Sequence, residues 1–269
     1  MTSDTISALN YFIAPLDGSR PYILFYPDST TTKPPYNWTQ EPHAMQIEDV
    51  RGKEELYNLD NAGFQYGREA AKHASFLNDD EIQRKYYPES IDLIKRVTGA
   101  TRVVIFGHVV RRRRPGEAHD NPQNQPVSAV HVDHTPAAAI AGVHRHLPPT
   151  EAPSLLRRRF QSINLWRPLS HAAVDWPLAL CDFRSVDFEK DLVPVALLYP
   201  DHENDSFGVK YNPNHQWKYM NAMTPEDFDS IQDGSVARLS PHTGFQDSNT
   251  PEGTPPRESI ELRALVFYD

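Results

Sequence analysis

The sequence predicts an α+β fold whose β-rich core closes as a sandwich or barrel. Three observations predict it. Helical spacing comes early and strand signals come late. Many short strand-like runs recur at fairly regular intervals. The 24 prolines are spread along the chain instead of gathered in one tract, as in a loop-rich β protein. A length of 269 residues is ample for one sizeable core and no strong argument for two. We therefore expect one domain over 1–269, with a partly helical flank over about 1–100 and the β core over about 101–269.

The elements follow in order. In the first sixty residues a short apolar run, Tyr22 to Tyr26, stands among Pro-rich turns such as Lys33-Pro-Pro-Tyr36. Helical spacing is expected from about Gln65 to Leu77 and again from Asp79 to about Val97. In the second stretch Ile82, Tyr86, Ile91, Leu93 and Ile94 form a broken apolar stripe, and Pro88 breaks or restarts the helix. Arg102–Phe106 and Val127–Val132 are rich in β-branched residues and read as strands. Thr135-Pro136 supplies a cap and a first-turn proline for a helix over Ala137–Leu147, and a short helix is expected over Thr150–Phe160. Further strands are expected at Ile163–Leu169, Leu178–Phe183, Leu192–Tyr199, Phe207–Tyr211, Trp217–Met220, Val236–Leu239 and Ser259–Tyr268.

Composition excludes several classes. Cys181 is the single cysteine, so no intrachain disulfide forms and a reducing, cytoplasmic setting is expected. Asn37-Trp38-Thr39 spells a glycosylation acceptor that would be silent there. The stretch Met1–Gly18 does not read as a secretory signal, and no window approaches the ~18 consecutive apolar residues of a membrane span. A net charge of -9 argues against a nucleic-acid partner. A small-molecule substrate and a monomer or homodimer are expected. The run Arg111–Arg114 reads either as a solvated strand end or as a surface facing an anion. There is no phosphate-binding Gly loop, paired CxxC or nucleophile elbow.

The chemistry rests on a few side chains. His131-Val132-Asp133 lies in a strand-like run, where residues two apart share a face. One imidazole and one carboxylate projecting together make two thirds of the two-His-one-carboxylate set that holds non-haem Fe(II) and leaves one side of the metal open. With 12 histidines in the chain, about one His-x-Asp is expected by chance, so alone this pair is equally a surface hydrogen bond. Pro241-His242-Thr243 offers the second imidazole. Arg257-Glu258-Ser259 then places a guanidinium and a hydroxyl on one face of the last strand, suited to grip a carboxylate. Arg263 shares that parity and is a rival anchor. Arg167 either holds a carboxylate or pairs structurally with an acid such as Asp182. Trp166, Tyr211, Trp217 and Tyr219 read as substrate-pocket aromatics or simply as core. His215 reads as a pocket residue or a spare ligand, and Cys181 as a small buried hydrophobe.

From about Arg102 onward the chain resembles a fungal group of Fe(II)- and 2-oxoglutarate-dependent oxygenases, which includes gibberellin desaturase and aspergillic-acid-type hydroxylase/desaturases and is related to cephamycin-type methoxylation proteins. The stretches that carry the resemblance are Val130-His-Val-Asp-His-Thr-Pro136, Asn164-Leu-Trp-Arg-Pro-Leu169, Pro177-Leu-Ala-Leu-Cys-Asp182, Tyr211-Asn-Pro-Asn-His-Gln-Trp217, Pro241-His-Thr-Gly-Phe245 and Arg257-Glu-Ser-Ile-Glu-Leu-Arg263. The resemblance implies a double-stranded β-helix (jelly-roll, cupin-like) core with flanking helices. It implies Fe(II) on His131, Asp133 and His242, with 2-oxoglutarate and O2 as cosubstrates. The implied reaction is hydroxylation, desaturation or ring closure at an unactivated C–H of a specialised metabolite, with succinate and CO2 released. An iron oxidase independent of 2-oxoglutarate and a non-catalytic cupin-like binding protein are the alternatives. The chain departs from the group at His134, where many relatives carry Gln, at Asp233-Gly234, and at Asn204-Asp205-Ser206. His134 is thereby a candidate substrate residue.

Overall fold

The computed structural model describes residues 4–25, 33–116, 125–233 and 237–269. Tyr26, Gly234 and Val236, which figure in the readings above, lie outside them.

The strands are β1 (Thr5–Ile13), β2 (Tyr22–Leu24), β3 (Thr39–Asp49), β4 (Phe64–Arg68), β5 (Arg102–Arg112), β6 (His131–Val132), β7 (Phe160–Pro168), β8 (Leu178–Cys181), β9 (Leu192–Leu198), β10 (Glu203–Val209), β11 (Trp217–Tyr219), β12 (Asp227–Asp233), β13 (His242–Gly244) and β14 (Glu258–Phe267). Helices are few: α1 (Leu59–Ala62), α2 (Asp79–Glu81), α3 (Tyr87–Thr98), α4 (Pro136–His146), α5 (Ala152–Leu155) and α6 (Phe188–Asp191). Nine strands form one sheet in the order β1-β3-β11-β8-β13-β6-β10-β9-β2, and five form the other in the order β4-β12-β7-β14-β5. This is the jelly-roll class that the sequence predicts. β1, β3 and β4 bring the N-terminal hundred residues into both sheets, so this stretch is more than a helical flank.

Alternation along β7 and β14 defines an inside and an outside. Ile163, Leu165, Ile260, Leu262, Ala264 and Val266 pack outward with Tyr86, Leu93 and Ile94 of the helical layer. Directly between them in sequence, Asn164, Trp166, Ser259, Glu261 and Arg263 point to the other face, toward the nine-stranded sheet. That sheet curls until β1 meets the segment before β6, where Val130 N–H donates to the Asn10 carbonyl at 2.9 Å and Asn10 bridges Ala129 in parallel. Leu9, Tyr11, Ile47, Val132, Cys181 and Trp217 fill the apolar space so enclosed.

The helix expected over Asp79–Val97 forms, with a π-type turn at Ile82–Tyr86 ahead of Pro88 and a left-handed Gly99 (φ 73°) closing it. Thr135 caps α4 by accepting the Ala138 N–H, as the Thr-Pro pair predicts. Two expectations fail. Gln65–Leu77 is not helical: Phe64 and Tyr66 turn inward with period two as β4, followed by loop. Gly67 is required there, because a Cβ would lie 2.3 Å from the Phe228 ring on β12. Ala237–Leu239, the described part of the predicted 236–239 strand, is not a strand but a bend and irregular backbone, and the ladder begins only at His242.

Candidate metal centre

Two of the candidate ligands occupy one rung of the ladder. His242 on β13 lies directly opposite His131 on β6, with ring centroids 4.4 Å apart, and Asp133 follows β6 on the same inner face. One donor atom from each of His131, Asp133 and His242 lies within 4.8 Å of the other two, the span of a single metal site. The Asp133 carboxylate approaches His242 Nε2 at 3.4 Å and His131 Nε2 at 4.0 Å. Both rings have their other nitrogen occupied: His131 Nδ1 donates to the Ala129 carbonyl at 2.8 Å and His242 Nδ1 to the Ser240 carbonyl at 3.0 Å. This arrangement commits each Nδ1–H to a backbone carbonyl and turns Nε2 inward toward Asp133, the atom that a metal would take in place of a proton.

The electrostatics suit a cation. Burial opposes a charge on His242, yet the adjacent Asp133 carboxylate carries its pKa up to about 9. Burial and the neighbouring His242 push His131 down to about 4. Burial disfavours the Asp133 carboxylate, but Arg263 and the two histidines hold it well below the usual range. An anionic carboxylate between two imidazoles is the donor set of a borderline divalent metal, so these residues fit iron.

A ring of side chains supports Asp133. Asn164 Nδ2 on β7 donates to Asp133 Oδ2 at 2.5 Å. Arg263 lies 3.5 Å from Asp133 Oδ1, and its Nε bonds Glu261 at 2.8 Å. Arg263 therefore steadies a candidate metal ligand and has its fork partly engaged.

Arg257 has a different environment. It is buried; its Nη1 donates to the Trp176 carbonyl at 2.7 Å, its guanidinium lies over the Trp166 ring at 5.5 Å, and its Nε has no partner among the described residues. Burial and the nearby Arg111 push its pKa down to about 9. A buried cation short of a counter-charge, with a donor unspent, is what an incoming carboxylate would satisfy. Ser259 is buried beside it on the same parity, opposite Arg111 across the β5–β14 ladder. Arg111–Arg113 are thus no solvated strand end, although Arg114 beyond them is exposed: Arg111 turns inward with Nη1 on the Gln125 carbonyl, Arg112 reaches Glu258, and Arg113 pairs with Asp175.

Several candidates lie elsewhere. Arg167 points to the opposite face of β7, where it donates to the carbonyls of Glu69 and Pro225 and to the Tyr86 hydroxyl. It is a structural arginine, and Asp182 pairs with Arg184 instead. Trp217 and Tyr219 belong to the apolar filling of the curled sheet, and Tyr211 stacks on His43 at 3.7 Å on the protein surface. His215 hydrogen-bonds Asp191 at 3.0 Å and Tyr11 at 3.2 Å and is no spare ligand. Trp166 does reach the site, beneath Arg257. His134 lies edge-on to Phe106, the extra residue of a bulge in β5 opposite Arg263 and Ala264. Cys181 is buried and its thiol is pushed up to about 12, as a small core residue.

Sequence reasoning missed the roles of Asn164, Glu261 and Asp229. Asp229 is buried on β12 opposite both Tyr66 and Trp166, and burial raises its carboxyl well above the usual range. Strand parity carried a signal for two of them: Glu261 sits midway between Ser259 and Arg263, and Asn164 lies two before Trp166.

Comparison with known proteins agrees with this geometry. A family model described as "Oxidoreductase/YMDC permease-like domain" matches residues 9–267. Among the described residues no helix is long and apolar enough to cross a membrane. The hydroxylase/desaturase efuI of Hormonema carpetanum is 35% identical, over 98% of this chain and 95% of its own. The Fe(II)/2-oxoglutarate-dependent dioxygenase nvfI of Aspergillus novofumigatus is 32% identical, over 95% and 94% respectively. A solved structure of the iron and alpha-ketoglutarate-dependent endoperoxidase NvfI superposes with a TM-score of 0.84 at 29% identity, covering 98% of each chain. The chain belongs to this fungal family of Fe(II)- and 2-oxoglutarate-dependent oxygenases.

Proposed function

We propose that this protein oxidises an unactivated C–H bond of a small specialised metabolite, by hydroxylation, desaturation or oxidative ring closure. In this reading His131, Asp133 and His242 hold the iron, and Arg257 with Ser259 grips the distal carboxylate of 2-oxoglutarate. Arg263 serves as a brace for Asp133. The observation that carries the reading is the pairing of an inward-facing triad, whose Nδ1 atoms are held by backbone carbonyls and whose Nε2 atoms converge on Asp133, with a buried arginine whose Nε is unspent. The bound iron, with 2-oxoglutarate and O2, supplies the oxidising power for C–H cleavage, with succinate and CO2 as coproducts.

The chain's own share is placement. Asn164 and Arg263 orient the carboxylate, and the two backbone carbonyls orient the imidazoles. Gly107 supports room for a substrate. It stands opposite Arg263 on the metal-facing side, and a Cβ there would meet nothing within 4 Å among the described residues. The names of relatives, hydroxylase/desaturase and endoperoxidase, support an oxidative outcome on a small molecule. We read the chain as one oxygenase domain over 1–269, monomeric or homodimeric, without nucleic-acid or membrane partners. The buried, lone Cys181 supports a reducing cytoplasmic setting.

The test is succinate formation by purified protein with Fe(II), with and without 2-oxoglutarate. Release that depends on both is expected. Arg257→Ala should raise the 2-oxoglutarate requirement steeply while metal still binds. Unchanged dependence in that variant would move the anchor to Arg263.

A further inference from the structure

An arginine anchors a small dianion well only if its fork points one way before the anion arrives. The turn Asp175-Trp176-Pro177 grips Arg257 at two points. Asp175 Oδ2 accepts the Arg257 backbone N–H at 3.0 Å, and the Trp176 carbonyl accepts from Nη1 at 2.7 Å. Asp175 is in turn held by Arg113, whose Nη1 lies 2.9 Å and 3.1 Å from its two oxygens. The Arg113 guanidinium lies over the Trp176 ring at 5.3 Å, and the Arg113 backbone N–H donates to the Arg257 carbonyl at 2.8 Å. The four residues close a loop of mutual contacts around a single guanidinium.

The turn is strained where it touches Arg257. Trp176 has φ +48°, in the left-handed region that disfavours a side chain by about tenfold. It also precedes Pro177, and a residue before proline is steered to extended backbone. Such strain persists only where the surroundings over-determine it. Here the surroundings are the Arg113–Asp175 pair below and Arg257 above.

We propose that the Asp175-Trp176 turn, locked by Arg113, is a positioning device that aims the Arg257 guanidinium at the carboxylate of 2-oxoglutarate, and that the Trp176 backbone, more than its indole, does the aiming. The contact occupies Nη1 and leaves the buried Nε for the anion. This rests on the reading of Arg257 as the 2-oxoglutarate anchor.

The experiment is anaerobic titration of 2-oxoglutarate into the Fe(II)-loaded protein, read by calorimetry and by the visible absorption of the chelate. Four variants are compared: Trp176→Val, Trp176→Gly, Asp175→Ala and Arg257→Ala. A positive φ suits β-branched valine worse than tryptophan and costs glycine nothing, so the pair separates backbone from indole. Trp176→Val should weaken 2-oxoglutarate binding about tenfold by deepening a backbone penalty that the parent already bears, and Trp176→Gly should stay within about threefold of the parent. Asp175→Ala should match Trp176→Val, which keeps the test open if the valine variant folds poorly. Fe(II) affinity should be unchanged in all of them. Equal losses in the Val and Gly variants, or no loss in Trp176→Val and Asp175→Ala, would overturn the positioning device. If Arg257→Ala binds 2-oxoglutarate like the parent, the anchor reading itself fails. If Arg257→Ala loses affinity while the turn variants do not, only the device fails.

Discussion

Replacing Asn164 by alanine isolates the support under the metal's carboxylate. Asn164 Nδ2 donates to Asp133 Oδ2 at 2.5 Å, a charge-assisted bond in a buried setting worth roughly 1.5–3 kcal/mol. Without it, Oδ1 keeps only the looser approach of Arg263 at 3.5 Å, and Oδ2 faces the His242 ring at 3.4 Å with nothing behind it. The carboxylate can then turn away from the position that shares a metal with the two imidazoles. At about 1.4 kcal/mol per decade, that loss corresponds to a 10–100-fold weaker divalent metal, the range usual for partners of metal ligands. Anaerobic competition titration with Fe(II), repeated with Mn(II) followed by the resonance of the free ion, measures it directly. The same bond is present without metal, so the metal-free variant should melt roughly 3–12 °C lower and the titration is run well below that temperature. Metal affinity within twofold of the parent would refute the reasoning and would mean that Arg263 alone orients Asp133.

Three further outcomes are expected. Gly63→Ala should lower stability by about 3 kcal/mol or more, which shows as a fall of about 6–12 °C in melting temperature. Gly63 has φ +84° and a Cβ would lie 2.4 Å from the Leu239 carbonyl, so a loss under about 1 kcal/mol would contradict that contact. Adding Mn(II) at about 100 times its dissociation constant should stabilise the fold by ~2.7 kcal/mol, a rise of roughly 5–11 °C that His242→Ala abolishes. Asp227→Asn should destabilise at neutral pH and much less below about pH 4. Burial alone would raise the Asp227 pKa, but the Thr224 backbone N–H and Arg51 hold it down. Its carboxylate therefore contributes stability above the unfolded value, and that contribution is lost as pH falls through the folded one. A pH-independent deficit on thermal melting would assign the effect to packing instead.

Much of the site was legible from residue order. His131 and Asp133 are two apart on a strand, and Arg257 and Ser259 repeat that spacing, so parity alone put each pair on one face. Parity also set the limit. The sequence leaves Arg167 open as a carboxylate anchor, yet adjacent strand residues face opposite ways, so Trp166 reaches the site while Arg167 serves the helical layer. The aromatics Trp217 and Tyr219 looked pocket-like because nothing in the sequence reveals that the larger sheet curls and buries that face. Short strands were the hardest to see. β13 has three residues, and their pairing with β6 and β8 depends on partners more than sixty residues away. Local propensity carries no trace of such contacts. The Asn164 and Glu261 roles are of the same kind: polar residues in otherwise apolar strands, whose partners only the folded sheets bring near.

The placement of His131 and His242 as cross-strand neighbours bears on how such an enzyme can diversify. Their separation is set by backbone hydrogen bonding, a dimension that hardly varies between sheets. Insertions, deletions and exchanges in the connecting segments can then remodel the chamber's walls without disturbing the distance between the two imidazoles. A lineage built this way can acquire new substrates while its inorganic chemistry stays constant, since the two properties are written in different parts of the backbone.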